Sequence, residues 1–185
     1  MRTTRILAVA VLTLGVVVGS TLAGGTPKSG PQAGKRIPGP FYPLNVTGPE
    51  AGRKSSLVCK HGLSPVAMVF AREVSPSLTK LIKQLDAATA KNKDKGMGSF
   101  VVFLTDREEL ADKLKKLAAT ENIKNTVLAI DGPSGPERFE VARDADVTVV
   151  LYNKLVVVAN HVFRKGQLND QAITQIMANV PKILK

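Results

Sequence analysis

Residues 66–85 read VAMVFAREVSPSLTKLIKQL. Val66, Met68, Val69 and Phe70 make a nearly continuous apolar run, the pattern of a strand covered on both faces. Arg72 and Glu73 interrupt it. Ser75 then offers an N-cap hydroxyl, and Pro76 suits the first helical position, where a missing N–H costs nothing. Leu78, Leu81, Ile82 and Leu85 recur at helical spacing on one face. The stretch predicts a buried strand, a tight corner and an amphipathic helix.

The same alternation continues. Lys91, Lys93 and Lys95 gather where the helix ends, complementing its negative pole, and Gly96 stops it. Residues 99–104, SFVVFL, read as a second buried strand. Asp106 and Glu109 have capping-box spacing, and Leu110, Leu114, Leu117 and Ala118 give the next helix its apolar stripe. Residues 126–131, TVLAID, form a third strand, closed by GPSGP. A short segment, 139–143, leads into VTVVLY and LVVVANHV, which flank Asn153-Lys154 as a hairpin. Ile173, Ile176, Met177 and Val180 share a face of a last helix. Upstream, residues 56–59, SLVC, read as a short strand. The expected fold is an α/β three-layer sandwich: a mixed central sheet, parallel through right-handed βαβ units, closed by the hairpin and a final helix.

The N-terminus has a different composition. Arg2 and Arg5 precede an apolar and small-residue run, 6–19, and then STLAGG, the order of a signal peptide cleaved after Ala23. The run falls short of the roughly 20 apolar residues a membrane span needs, so no stable span is expected after cleavage. Residues 24–40 are rich in Gly and Pro with one large apolar residue, Ile37, and read as a flexible linker. The folded domain is expected over residues 41–185. The protein is therefore expected outside the cytoplasm, periplasmic or extracellular.

The 185-residue chain carries a formal charge of +11. That balance serves solubility and also suits anionic partners such as acidic proteins, wall polymers or lipid headgroups. It has no Trp, only two Tyr and no helix-turn-helix, zinc-finger or RNA-binding pattern, which argues against nucleic acid. A single cysteine, Cys59, precludes an internal disulfide. It can be a packed small hydrophobe, an intermolecular bridge or a reactive thiol, favoured as thiolate if Lys60 and His61 face it. In an extended strand Cys59 and His61 would share a face, and His161 could complete a three-ligand metal site if the sheet brought it near. His161 also reads simply as a satisfied strand histidine. Ser75 and Ser77 lack a nearby histidine or a nucleophile elbow and read as capping residues. Asn45-Val46-Thr47 is a glycosylation sequon, read as chance. No cofactor is called for.

The order strand–helix–strand–helix–strand–hairpin–helix resembles the thioredoxin fold. GPFYPLNVTG at 39–48, LAIDGPSG at 128–135 and FEVARDADVTVVLY at 139–152 look like the lead-in, the extra strand and the pre-hairpin pattern of its exported redoxin branch, the TlpA-like thiol–disulfide oxidoreductases. The resemblance covers roughly residues 41–180. It places the family's two reactive cysteines on Val74 and Ser77 and its cis-proline on Val147, where a cis bond would cost about 2.5–4 kcal/mol and a trans peptide is expected. The peroxidatic Thr-x-x-Cys context of peroxiredoxins is missing as well. What the resemblance then implies is a degenerate redox site: a corner of Arg72, Glu73, Val74, Ser75, Pro76 and Ser77, with the Asp146, Val147 and Thr148 loop, presented to an exported protein or peptide of acidic or other character. Arg72 and Glu73 are expected as a solvated pair. The alternative is a single-thiol oxidoreductase or redox sensor working through Cys59.

Overall fold

The computed structural model describes residues 27–107 and 109–185. The expected signal peptide, 1–23, lies outside the described residues. Six strands form one mixed sheet in the order β1-β4-β3-β2-β5-β6. These are β1 (Leu44–Asn45), β2 (Val66–Ala71), β3 (Gly98–Leu104), β4 (Thr126–Asp131), β5 (Val147–Asn153) and β6 (Val156–Phe163). β2, β3 and β4 run parallel, with α2 (Pro76–Lys91) and α3 (Leu110–Thr120) as crossovers. β5 pairs antiparallel with β2, and β6 with β5. α4 (Asp170–Ile183) closes the chain. Every residue of β2 and β3 is buried, as their unbroken apolar runs require.

The two faces of the sheet are covered differently. α2, α3 and α4 all pack on one face, against Ala67, Val69, Val101 and Leu128. Two successive right-handed crossovers stepping in one direction, β2 to β3 to β4, put both helices on the same side. The other face carries Met68, Phe70, Phe100 and Tyr152. It is covered by the short helix α1 (Leu57–His61), by Ile37 and Phe41 from irregular segments, and by Phe139 of a 3-10 turn (Glu137–Phe139). Phe41, Phe70 and Phe139 pack together with ring centroids 4.9–5.9 Å apart.

Four local expectations are corrected. The SLVC stretch is helical, because Ser56 caps a turn by accepting a hydrogen bond from the Cys59 N–H at 3.3 Å. The Asp106–Glu109 box is not formed. Glu109 makes no capping bond, and the Thr105 hydroxyl instead accepts from the Arg107 N–H. The hairpin turn is Lys154-Leu155, one residue later than expected, with φ of 51° and 62°. Leu155 tolerates that backbone because its side chain packs on the core.

The fourth concerns the linker. Residues 27–40 lie along the sheet rather than away from it. Gly34 N–H donates to Val157 C=O, Val157 N–H to Lys35 C=O, and Ile37 N–H to Leu155 C=O. Ser29 is buried, its hydroxyl 2.7 Å from that of Thr148, and Asn160 donates to the carbonyls of Ser29 and Pro31. A Gly/Pro-rich stretch has little to bury, yet the open edge of β6 supplies unpaired backbone groups that it can satisfy. No helix among the described residues is long and apolar enough to cross a membrane.

Candidate functional site

The corner between β2 and α2 is built as its sequence suggests. Ser75 Oγ accepts from the Leu78 N–H at 3.2 Å and Pro76 opens the helix. The capping bond commits the Ser75 hydroxyl to the backbone. Val74, where the resemblance places the first cysteine, is 41% exposed, and Ser77, where it places the second, lies in the first turn of α2. No peptide bond among the described residues is cis, so the bond before Val147 is trans.

Arg72 and Glu73 do not form the expected pair. The Arg72 guanidinium donates to three backbone carbonyls: Ala145 at 2.9 Å, Pro133 at 3.0 Å and Ala142 at 3.0 Å. Its planar fork matches that set of acceptors, and it ties the 133–146 connection to the end of β2. Glu73 pairs instead with Lys165, at 3.2 Å. Val147 and Thr148 are buried, so they support the corner from below and present nothing to solvent. Both backbone groups of Asp146 are also committed: its N–H donates to Phe163 C=O and its C=O accepts from Arg72 N–H. The surface actually presented is thus Glu73 to Ser77 with the Asp146 carboxyl beside it.

That carboxyl titrates above the usual carboxylate range. Burial is the main cause and the negative charge of Glu73 adds to it, while Lys165 and Arg72 oppose. The folded state therefore holds the Asp146 proton more tightly than the unfolded chain, and stability falls as pH rises through that interval. Asp146→Asn removes the penalty. It should be more stable than the parent at pH 7 and indistinguishable at pH 3, by urea unfolding at both. Equal stability at pH 7 would show that the carboxylate is well solvated.

The thiol and the two histidines lie elsewhere. Cys59 sits in α1, at the start of β2, whereas Val74 follows its end. Six residues of strand separate the two by on the order of 20 Å. Cys59 is exposed, which overturns its reading as a packed strand cysteine. Folded protein should therefore react with a maleimide as completely as urea-unfolded protein does. Protection until unfolding would refute the exposure. Two residues apart on a helix, Cys59 and His61 point about 200° apart, so they do not share a face. His61 stacks on Phe100, on the α1 side of the sheet. His161 pairs in register with Val149 and meets Asn179 of α4 at 3.2 Å, on the other side. The three candidate ligands are therefore not brought together. Among the described residues no group of three or more potential ligands could hold a metal. Asn45 is buried with its amide donating to Ser55 Oγ at 2.6 Å, so the folded sequon is closed.

Sequence reasoning passed over a groove that opens beside the corner. One lobe lies between α2 and α3 and the other between residues 72–74 and α3, and both include Val74 and Leu117. In the apolar stripe expected of α3 only Leu114 is fully buried, while Leu110 and Leu117 are partly buried against the core and line the groove with the rest of their surface. Helical spacing marks which residues can face inward but not whether the neighbouring helix lies close enough to cover them.

No protein-family model matches the sequence, and no curated protein matches it. Solved structures do match. The thioredoxin domain of a thiol-disulfide oxidoreductase from Bacteroides vulgatus superposes with a TM-score of 0.55 at 18% identity, over 80% of this chain and 97% of that one. A secreted Mycobacterium tuberculosis disulfide oxidoreductase homologous to E. coli DsbE gives 0.53 at 10%, over 77% and 95%. The reduced 2-Cys peroxiredoxin of Plasmodium vivax gives 0.60 at 18%, over 82% and 83%. At such identities the likeness is one of fold. The chain has the thioredoxin-like fold.

Proposed function

We propose that the protein is an exported, non-catalytic binding module: a thioredoxin-like domain that has lost its dithiol and presents the Glu73–Ser77 corner to a protein or peptide. One observation carries this reading. The corner where the fold's redox chemistry would sit holds Val74, which is exposed, and Ser77 at the two reactive positions, with Ser75 between them capping α2, and the only cysteine is at the far end of β2. Valine has no electron pair with which to attack a disulfide. The N-terminal leader pattern supports export.

A second reading, a single-thiol oxidoreductase or redox sensor, draws on the exposure of Cys59. One comparison separates the two. A photo-crosslinking residue at Val74 should give the same partner adduct in the parent and in Cys59→Ser, and neither form should catalyse reduction of insulin disulfides. Disulfide turnover, or a partner adduct, that vanishes in Cys59→Ser would overturn the binding-module reading in favour of the thiol.

A further inference from the structure

The groove has two lobes that share Val74 and Leu117: one of about 750 Å³ between α2 and α3, and one of about 540 Å³ between the 72–74 corner and α3. The smaller has an aliphatic floor of Val74, Leu110 and Leu117, and Arg107, Lys113 and Lys116 stand around it. Cations of the larger lobe are already committed: Lys80 to Asp170 at 2.8 Å and Lys83 to Glu121 at 2.7 Å. In the smaller lobe Glu73 is held by Lys165. Among the described residues, none of Arg107, Lys113 and Lys116 has an ion-pair partner.

We propose that this smaller lobe seats an acidic segment of a partner protein. A branched aliphatic side chain would enter between Val74 and Leu117, and carboxylates would lie against Arg107, Lys113 and Lys116. The inference rests on the binding-module reading and names the chemistry of its partner. Cations without an ion-pair partner among the described residues, set around an apolar floor, call for an occupant that carries both charge and an apolar anchor. A nucleic acid supplies phosphate without an aliphatic anchor. A lipid surface is broad and cannot enter a cleft between the β2–α2 corner and α3. An acidic peptide with a leucine satisfies both walls and floor, and rim charges of this kind govern encounter rate and salt dependence.

The test uses the chain from residue 24 onward and three fluorescein-labelled heptapeptides: Glu/Leu, its uncharged Gln/Leu counterpart and its anchorless Glu/Ser counterpart. Anisotropy titrations at low and high salt measure affinity, and amide shifts map the contact. The Glu/Leu peptide should bind at least tenfold more tightly than either control, weaken several-fold at high salt, and shift α3 and Val74. Lys113→Glu/Lys116→Glu should cost at least tenfold with an unchanged melting temperature, since both lysines are exposed. Val74→Ser should weaken binding without altering the salt dependence. Equal binding of Gln/Leu would overturn the acidic partner while leaving the binding module standing. Absence of Glu/Leu binding at millimolar concentration, or shifts confined to another face, would overturn the site. The Val74 crosslink would then decide separately whether the corner binds anything.

Discussion

Asp86→Ala should lower the stability of the domain by about 3–5 kcal/mol, the cost expected when a buried charged acceptor is removed and its donors stay behind. Asp86 is buried on α2, and its carboxylate is the anchor for the start of β4. Oδ1 accepts the backbone N–H groups of Lys124 at 3.0 Å, Asn125 at 2.6 Å and Thr126 at 2.8 Å, while Oδ2 accepts the Asn125 side-chain amide at 3.0 Å. Alanine leaves those donors facing a dry space. Asp86→Asn keeps an acceptor but loses the charge and sets one amide group against another, so an intermediate loss is expected. Urea unfolding of the three proteins measures both steps. A loss below about 1 kcal/mol for Asp86→Ala would mean that water replaces the carboxylate, contrary to the closed geometry. Beside it, the hydroxyls of Thr89, Ser99 and Thr126 form a buried chain with both spacings 2.7 Å. The polar link between α2, β3 and β4 is thus continuous.

Gly98→Ala should cost about 2–3 kcal/mol, because the His61 ring occupies the space where a β-carbon would go. The ring lies flat over the start of β3 and stacks on Phe100 at 6.0 Å with an interplanar angle of 3°. A double-mutant cycle isolates the clash. Gly98→Ala combined with His61→Ala should be at least about 1 kcal/mol more stable than the sum of the single losses. Simple additivity would place the ring elsewhere. The same ring sets a pH dependence. Burial, and then the charge of Lys60, lower the His61 pKa from 6.5 to about 4. As pH falls below 6.5, the unfolded chain takes up a proton that the folded state refuses. Stability is therefore lost between about pH 6.5 and 4, by roughly 2–3 kcal/mol after allowance for partial solvent contact. His61→Ala should flatten that part of the profile.

Both effects depend on residues that one-dimensional patterns pass over. Asp86 sits in a helix whose apolar stripe is unmistakable, yet its partners lie 38 to 40 positions away. His61 read as a ligand candidate because Cys59 is two residues before it. The Ser56 cap makes that stretch a helix and turns the two side chains apart. Arg72 read as a solvent-facing charge, although its three acceptors are loop carbonyls more than 60 positions downstream. The groove went unread for a related reason. Leu110 and Leu117 share the periodicity of Leu114, and only the packing of α3 against its neighbours leaves them lining the groove.

By itself the sequence determined the buried strands β2 to β5, the start of α2 at Ser75 and Pro76, the parallel crossovers and the final hairpin. It also excluded a dithiol at the Val74–Ser77 corner. These follow from local rules: apolar runs, 3.6-residue periodicity, caps, and the chemistry each side chain can perform. The tertiary structure alone decided which face each helix covers, that residues 27–40 line the edge of β6, that Arg72 and Asp86 serve the backbone, and that Arg107, Lys113 and Lys116 border an open apolar cleft. Those outcomes depend on through-space partners, because burial, hydrogen-bond closure and charge pairing are properties of a neighbourhood assembled from distant parts of the chain.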